Sequence, residues 1–338
     1  MAYTTIDDPS KYMQTALFTG NAGTNAITNT GNSDLQPDWI WFKRRDGADN
    51  NILFDVVRGV TKGIYADLTN PQDNLADSLA SFNSDGFTLG ADTGSGGSIN
   101  GNSETMVAWQ WKETADAGFD ILTYEGTGSI QTEAHNLGVK PDMIIVKNID
   151  SSDPPFNWRV YHSSLGAGVA LKLNSTDAIS DDPGYWGDTE PTSSVFSIKD
   201  SGETNNNNQT YIAYLFAAKQ GYSKFGKYTA NAIVDGNFIF TGFKPAFILI
   251  KSSNQPQDGQ SWFIYDSSRD PGNTATQTIQ ANVNTGEQTN VAPIDILSNG
   301  FKLRTNTGRI NGSNGEYIYM AFAESPFVTS TGVPTTAR

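Results

Sequence analysis

The chain has 338 residues, with 22 Lys and Arg against 36 Asp and Glu, so its formal charge is −14. It contains no cysteine and two histidines, which excludes disulfide frameworks, Cys-ligated zinc, iron–sulfur clusters, Cys nucleophiles and multi-histidine metal sites. An acidic surface repels a phosphate backbone, because nucleic-acid affinity comes mostly from cations that displace condensed counterions. Nucleic acid is therefore not an expected partner.

The N-terminal stretch MAYTTIDDPSKYMQ carries two Asp and lacks the apolar core of a signal peptide. No later run approaches the roughly 18 apolar residues that a membrane span needs. We therefore expect a protein that is made in the cytoplasm without a signal peptide and does not insert into a membrane. Short apolar stretches rich in Phe, Tyr and Trp, separated by Gly, Asn, Thr and Ser, favour β structure.

After an N-terminal arm (1–15), five sequence boxes follow one another, and each recurs twice at a period of about 105 residues. The aromatic entry strand is LFTGN (17–21), TYEGTG (123–128) and KYTAN (227–231). The Pro/Lys box is LQPDWIWFK (35–43), GVKPDMIIVK (138–147) and GFKPAFILIK (242–251). The third box is ILFDVVRG (52–59), WRVYHSSLG (158–166) and WFIYDSSRD (262–270). The fourth is NSDGFTLG (83–90), SSVFSIK (193–199) and LSNGFKLR (297–304). The closing strand is TMVAWQWK (105–112), TYIAYLFAAK (210–219) and EYIYMAFAE (316–324).

These boxes define three units and predict an all-β fold of three tandem homologous β-sandwich-like repeats. The predicted bounds are 16–112 for unit 1, 119–219 for unit 2 and 223–327 for unit 3, followed by a flexible tail (328–338). Four consecutive apolar residues in each Pro/Lys box predict a strand that is buried on both faces. Serial units joined by short polar linkers predict a semi-rigid rod. We align Trp109, Tyr214 and Phe322 of the closing strands and predict that they anchor the cores of their units.

The third box holds an acid–base pair in units 1 and 3, namely Asp55 with Arg58 and Asp266 with Arg269. Unit 2 has His162 and Leu165 instead, so both members are lost together. The favoured interpretation is a carboxylate–guanidinium pair that braces a turn, and the alternative is a ligand-binding pair present in two units. We interpret His162 as a satisfied turn residue and His135 as a solvated turn residue.

Unit 2 also has an insertion, DDPGYWGDTEP (181–191), whose composition suits carbohydrate capture. Aromatic rings stack on sugar faces, and carboxylates accept hydrogen bonds from hydroxyls. The candidate contact residues for a glycan or a partner are Asp181, Asp182, Tyr185, Trp186, Asp188 and Glu190. The favoured interpretation, however, is a long loop whose Trp186 covers the core of its own unit, and glycan or partner contact is the alternative. No spacing singles out two carboxylates for catalysis, and we expect no catalytic residue, metal or cofactor.

The stretch LQPDWIWFKRRDGADNNILFDVVRG (35–59), the box SFNSDGFTLG (81–90) and the close ETMVAWQWK (104–112) resemble a family of repeat proteins from marine tailed bacteriophages, particularly cyanophages. The resemblance is strongest over unit 1 and continues more faintly through units 2 and 3. It implies a location on the exterior of the virion, as a tail fibre or other surface appendage. It also implies that other virion proteins are partners, in homo- or hetero-oligomers.

The expected function is that of a non-enzymatic virion structural protein, a tail fibre or appendage that contacts host-surface polysaccharide. The alternative is a capsid decoration or tail-associated protein that binds other virion proteins, and a polysaccharide-degrading glycosidase is third. A fibre is expected to expose aromatic side chains at one end. A decoration protein is expected to use its arm and a flat apolar face to grip a lattice.

Overall fold

The computed structural model describes residues 2–93, 98–150, 155–182, 184–255 and 260–335. Met1 of the predicted arm and residues 336–338 of the predicted tail lie outside this part of the chain. In these ranges the secondary structure is almost entirely β, with a 3-10 turn at Pro9–Lys11 and one short helix, α1 (Gly202–Asn205), so the all-β prediction is confirmed. Within the described ranges, no helix has the length and apolar character needed to cross a membrane.

Unit 1 contains β1 (Met13–Thr19), β2 (Asn25–Ile27), β3 (Trp39–Arg44), β4 (Ile52–Asp55), β5 (Lys62–Tyr65), β6 (Asp73–Asn74), β7 (Leu79–Phe82), β8 (Phe87–Leu89) and β9 (Thr105–Trp111). Unit 2 contains β10 (Phe119–Glu125), β11 (Gln131–Ala134), β12 (Met143–Asn148), β13 (Arg159–His162), β14 (Val169–Ala170), β15 (Ser180–Asp181), β16 (Val195–Ile198) and β17 (Thr210–Phe216). Unit 3 contains β18 (Ser223–Thr229), β19 (Phe238–Phe240), β20 (Phe243–Ser252), β21 (Phe263–Asp266), β22 (Ala275–Gln280), β23 (Gln288–Leu297), β24 (Gly300–Leu303) and β25 (Glu316–Pro326).

One strand order occurs in all three units: the entry strand pairs with the closing strand, which pairs with the Pro/Lys strand, which pairs with the strand of the third box. The orders are β1-β9-β3-β4, β10-β17-β12-β13 and β18-β25-β20-β21. A second layer contains β2, β8 and β7 in unit 1, β11 and β16 in unit 2, and β23, β24 and β19 in unit 3. In unit 3 both layers are linked through β22, so eight strands form one sheet that nearly closes into a barrel.

The pairing register corrects the alignment of the predicted core anchors. Trp41 of β3 pairs with Trp109, and the corresponding Ile145 of β12 pairs with Tyr214. In unit 3 the corresponding Leu249 pairs with Met320. Met320 is therefore the counterpart of Trp109 and Tyr214, and the alignment that used Phe322 is wrong by two residues. Because side chains alternate with a period of two, residues at i and i+2 share a face and have the same burial pattern.

Each Pro/Lys strand is buried on both faces, as predicted. In β3, Trp39 and Trp41 lie in a large cluster to which all three units contribute, whereas Ile40 and Phe42 pack in a separate core of unit 1. The alternation is the same in β12 and in the part of β20 after its bulge: Met143, Ile145, Phe247 and Leu249 enter the large cluster, and Ile144, Val146, Ile248 and Ile250 enter the cores of their own units.

The large cluster joins every pair of units, and we call it the shared core. The contacts between ring centroids are Trp39 to Tyr214 at 4.7 Å for units 1 and 2, Trp111 to Phe247 at 5.2 Å for units 1 and 3, and Phe216 to Phe322 at 6.1 Å for units 2 and 3. The expected semi-rigid rod is therefore wrong. Each first-layer sheet has a second apolar face, and the three units bury these faces against one another.

The N-terminal arm lies between units 3 and 1. These two units are not consecutive in the sequence, so no linker joins them. Ile6 belongs to the shared core and is 4% exposed. Tyr3 OH donates a 2.6 Å hydrogen bond to the carbonyl oxygen of Gly242 in unit 3. The backbone N–H of Ser330, in the predicted tail, donates a 2.6 Å bond to the Asp7 carboxylate. The described parts of the arm and the tail therefore meet and help to close the ring of units.

Candidate functional site

Three side-chain donors at corresponding positions link the units in a cycle. Each donor stands one residue before the third-box strand of its unit. Its acceptor is a backbone carbonyl on the chain that pairs with the third-box strand of a neighbouring unit: Tyr65 ends β5, Gln280 ends β22, and Lys172 follows the bridge between Val160 and Leu171. The bonds are Trp158 Nε1 to the Tyr65 oxygen at 2.8 Å, Trp262 Nε1 to the Lys172 oxygen at 2.8 Å, and Asn51 Nδ2 to the Gln280 oxygen at 3.2 Å. Unit 2 thus donates to unit 1, unit 3 to unit 2, and unit 1 to unit 3.

The lysines that end the Pro/Lys boxes make a second cycle with the same direction. The bonds are Lys43 Nζ to the Asn284 oxygen at 3.0 Å, Lys147 Nζ to the Thr69 oxygen at 3.2 Å, and Lys251 Nζ to the Thr176 oxygen at 3.1 Å. All three lysines are fully buried. Desolvation lowers the pKa of Lys147 and Lys251 to about 7 and that of Lys43 to about 8. The lysine that marks this box in the sequence therefore joins units.

The Asp55–Arg58 pair lies in the interface between units 1 and 2. Arg58 Nε is 2.6 Å from Asp55 Oδ2, and the backbone N–H of Arg58 donates to Asp55 Oδ1 at 2.8 Å. Tyr214 OH of unit 2 donates a 2.7 Å bond to Asp55 Oδ2. The side chain of Asp55 is fully buried and that of Arg58 is 2% exposed. The pair braces a turn and also accepts a donor from the neighbouring closing strand.

The Asp266–Arg269 pair repeats this arrangement between units 3 and 1. The distance from Arg269 Nε to Asp266 Oδ2 is 2.5 Å, and neither side chain is exposed. Trp109 Nε1 of unit 1 donates a 2.9 Å bond to Asp266 Oδ2. Both pairs are covered by the units that surround them, and their oxygens already accept hydrogen bonds, so the geometry favours the bracing interpretation over a ligand-binding pair.

The register explains why unit 2 lacks the pair. The residue of unit 3 that corresponds to Trp109 and Tyr214 is Met320, whose thioether has no hydrogen to donate to a carboxylate. His162 stands where units 1 and 3 have Asp55 and Asp266, and it is 1% exposed. Its Nε2 lies 3.3 Å from the Tyr319 oxygen, and its Nδ1 accepts a hydrogen bond from Ser164 N at 3.2 Å. A neutral imidazole with its proton on Nε2 satisfies both contacts.

Acidification is expected to destabilise the protein through His162. Burial lowers its pKa to about 4 from an ordinary value of 6.5, so the unfolded chain binds the extra proton more readily between these pH values. Stability is then lost as the pH falls through this window, by about 2–3 kcal/mol. His162→Asn keeps an acceptor for the turn and removes the titration. Denaturant unfolding at pH 7 and pH 4.5 is expected to show a smaller loss in the variant than in the parent, and equal losses would contradict this assignment.

The other histidine, His135, is not a solvated turn residue as predicted. It is 7% exposed, and its Nε2 lies 3.3 Å from the Thr192 oxygen. Burial lowers its pKa. Its position before the Pro/Lys box did not reveal that the second layer of unit 2 covers it.

The aromatic rings of the 181–191 insertion face the core of unit 2. Tyr185 is 7% and Trp186 is 2% exposed. Trp186 makes an edge contact with Tyr161 at 6.0 Å between ring centroids, and the guanidinium carbon of Arg159 lies 3.9 Å from the centroid of Tyr185. The structure thus favours core cover over sugar stacking for both rings.

The acidic residues of the insertion divide between internal bonds and the surface. Glu190 accepts from Lys140 Nζ and Tyr161 OH, each at 2.6 Å, and from Ala167 N at 2.8 Å. Asp182 accepts from Gly184 N at 2.8 Å. The exposed acids that remain are Asp181 and Asp188, and Pro183 lies outside the described residues. The candidate residues therefore do not form one convergent site.

The described residues contain no group of three or more His, Cys, Asp or Glu side chains that could hold a metal ion. Exposed apolar side chains, in contrast, gather on unit 3. Phe238 and Phe240 of β19 are 45% and 51% exposed, and Ile233 and Val234 before this strand are 57% and 58% exposed. We call these four residues the apolar edge.

The other two units have small residues where unit 3 has the phenyl rings. Ile239 pairs with Phe301, Ile27 pairs with Phe87, and Glu133 pairs with Phe196, which fixes the correspondence of the three edge strands. The exposed neighbours of these positions are Ala26 and Thr28 in unit 1, Thr132 and Ala134 in unit 2, and Phe238 and Phe240 in unit 3. The sequence boxes did not include this strand, although the FIF triplet was a visible signal.

Charged side chains flank the apolar edge. Lys224 Nζ lies 5.1 Å from the ring centroid of Phe240. Lys302, which pairs with Phe238 across the sheet, has its Nζ 3.2 Å from Asp235 Oδ1. Arg304 Nε lies 2.6 Å from Asp295 Oδ2. The rings are therefore bordered by groups that can donate and accept hydrogen bonds.

These observations define an all-β protein in which three sheets surround one aromatic core and one unit presents an apolar edge. The chain belongs to the family described as domain of unknown function DUF7483, whose model matches residues 8–326 and so includes all three units. No curated protein matches the sequence.

Proposed function

We propose that this chain is a non-catalytic structural protein on the exterior of a bacteriophage virion, of the tail-fibre or appendage type, and that it binds host-surface polysaccharide. The observation that carries this proposal is the gathering of exposed phenyl rings on unit 3 while the N-terminal arm is packed against the shared core. A fibre-type protein needs exposed aromatic side chains at one place. A decoration protein that grips a lattice with its arm needs a free arm.

Stacking on sugars is the contact that the apolar edge suits best. Phe238 and Phe240 are two residues apart on one strand and so share a face, at a spacing of roughly 7 Å. Their rings offer apolar surface to the C–H face of a sugar, and Lys302, Asp235 and Lys224 beside them can bind hydroxyl groups. A polymer with repeated sugars can contact several copies of the protein, which multiplies weak affinities through effective concentration.

The three units are proposed to be copies of one ancestral β-sandwich. Support comes from the common strand order, from the cycle of Trp and Asn donors and from the cycle of buried lysines. The virion location rests on the resemblance of the sequence boxes to marine phage repeat proteins. Other virion proteins are then the partners that hold the molecule at the particle surface.

Binding of purified protein to immobilised bacterial lipopolysaccharides and capsular polysaccharides tests the proposal. The variant Phe238→Ala/Phe240→Thr copies unit 1 at the two exposed positions and is expected to lose most of the binding. Val57→Ala removes an apolar side chain of similar exposure from unit 1 and serves as the control, with unchanged binding.

Two other results would replace the proposal. Absence of polysaccharide binding together with stoichiometric labelling of capsids would favour the decoration protein. Release of reducing ends from the polysaccharides would favour the glycosidase.

A further inference from the structure

Unit 3 contains a polar cavity of about 460 Å³ at one end of its sandwich, which is within the usual range of small-ligand pockets. It lies between Asn254, Gln255 and Gln260 on one side and the loop that joins β24 to β25 on the other. Its side-chain amides come from Asn254, Gln255, Gln260 and Asn306. We infer that this cavity binds a neutral sugar unit, which rests on the proposed function and gives it a specific site.

The wall of the cavity is fixed before any ligand binds. Asn254 Nδ2 donates to the Asn314 oxygen at 3.0 Å, and its Oδ1 accepts from Glu316 N at 2.9 Å. Gln255 Nε2 donates to the Ser313 oxygen at 2.8 Å. These bonds hold the amides in place, so little conformational freedom is lost when a ligand enters.

Gln260 supplies unused hydrogen-bonding capacity in this wall. It is 3% exposed, and its Oε1 has no hydrogen-bond partner. Its Nε2 makes a long contact of 3.4 Å with Gln255 Oε1. A buried amide oxygen without a partner costs free energy that a ligand hydroxyl can recover by donating to it.

Unit 2 shows what a filled version of this cavity looks like. Tyr211 OH donates to the Gly202 oxygen at 2.7 Å, and Tyr317 OH donates to the Gly308 oxygen at 2.6 Å, so the two glycines correspond. A Cβ on Gly202 would lie 2.5 Å from the ring of Phe156, which is 8% exposed. The ring therefore packs directly on that glycine.

In unit 3 the position of Phe156 is taken by Gln260, since each stands two residues before the tryptophan of the third box, Trp158 and Trp262. A Cβ on Gly308 would lie 3.1 Å from Gln260 Nε2. An amide thus replaces a phenyl ring over the same glycine, and the space beside it is open. Unit 3 therefore has an open polar cavity at the place where the ring of Phe156 fills the space in unit 2.

The chemistry of the lining selects the ligand class. Amides, backbone groups of Gly308 and Gly312, and the hydroxyl of Ser313 donate and accept hydrogen bonds without net charge. A neutral polyhydroxylated molecule can donate hydrogen bonds to this lining and accept hydrogen bonds from it, and it carries no charge that would need a counter-ion. An ion would need an opposite charge, which the described lining residues do not provide.

The loop that lines the cavity is hydrogen-bonded to the apolar edge. Asn311, in the loop that lines the cavity, donates from Nδ2 to the Ile233 oxygen at 2.9 Å. A polysaccharide chain that stacks on Phe238 and Phe240 can therefore place a neighbouring sugar near the cavity. The two features supply the apolar and the polar contacts of one binding region.

The test measures binding of free glucose, galactose, mannose, N-acetylglucosamine and their β-linked disaccharides by saturation-transfer NMR and titration calorimetry. The parent protein is expected to bind at least one of them. Gln260→Phe copies Phe156 of unit 2, and Gln260→Leu removes the amide without filling the space. Each is expected to weaken binding by about tenfold or more, because one or two hydrogen bonds are lost. Thermal unfolding of the variants, and of the parent, checks that all remain folded.

The outcomes separate this inference from the proposed function. Undiminished sugar binding by a folded Gln260 variant, no binding of any sugar in the panel, or binding of sodium sulfate in place of sugars would each overturn the inference. In every such case the proposed function still stands or falls on whether Phe238→Ala/Phe240→Thr abolishes binding to the immobilised polysaccharides.

Discussion

Replacement of Asp55 by Ala is expected to destabilise the protein by about 3–5 kcal/mol, because the guanidinium of Arg58 is left buried without its counter-ion. Arg58 is held by Asp55 and by the carbonyl oxygens of Lys62 and Leu53 at 2.8 and 3.2 Å. The variant also removes the acceptor of Tyr214 OH, so a second buried polar group loses its partner. Urea unfolding monitored by circular dichroism measures the loss.

Unit 2 provides the matched control for this prediction. The triple variant Asp55→His/Arg58→Leu/Tyr214→Met reproduces the combination of His162, Leu165 and Met320 found at the corresponding interface. It removes the buried charges together with the donor, so we expect it to be more stable than Asp55→Ala alone. If the triple variant is as unstable as Asp55→Ala, the loss does not come from a buried charge and a donor left without partners, and this interpretation of the pair is wrong.

Replacement of Trp109 by Ala is expected to cost about 3–5 kcal/mol, because it opens a cavity in the shared core. The indole is fully buried, and its ring centroid lies 6.2 Å from that of Trp41 and 5.8 Å from that of Phe247 in unit 3. Since the contacts cross between units, the whole molecule is expected to lose stability, not unit 1 alone.

Trp109→Phe separates packing from hydrogen bonding. It keeps an aromatic ring and removes the Nε1–H donor to Asp266, so the expected cost is about 1–3 kcal/mol. Guanidinium unfolding monitored by far-ultraviolet circular dichroism measures both variants. A loss below about 1 kcal/mol for Trp109→Ala would contradict the placement of this residue in the shared core.

Much of the local structure could be predicted because strand signals are local. The proline and the four apolar residues of the Pro/Lys box predicted a strand buried on both faces, and the structure confirms it. What covers each face could not be predicted in the same way. A period of two reports that a face is apolar, but it does not say whether the cover is the second layer of the same unit or the sheet of another unit.

The same limitation explains the error in register and why composition left two interpretations of the insertion open. Met320 and Phe322 are both buried on one face, so only the pairing with Leu249 and Phe247 distinguishes them. Composition made Tyr185 and Trp186 candidates for sugar binding, although their rings pack inward. Composition reports which contacts a loop is able to make, and packing decides which of them it makes.

One recurring signal was available and was missed. Three buried asparagines, Asn100, Asn205 and Asn311, are spaced by 105 and 106 residues in the segments before the closing strands. Each Nδ2 donates to a backbone carbonyl near the start of its unit, at Gly23, Ser129 and Ile233. A search for polar residues at the repeat period would have found them and directed attention to the loop that lines the cavity of unit 3.

Differential scanning calorimetry tests the shared core most directly. If the three units are held together by one core and two cycles of hydrogen bonds, the protein unfolds in a single transition whose calorimetric and van't Hoff enthalpies agree. Three resolved transitions, or a calorimetric enthalpy close to three times the van't Hoff value, would show that the units unfold independently and would contradict the account.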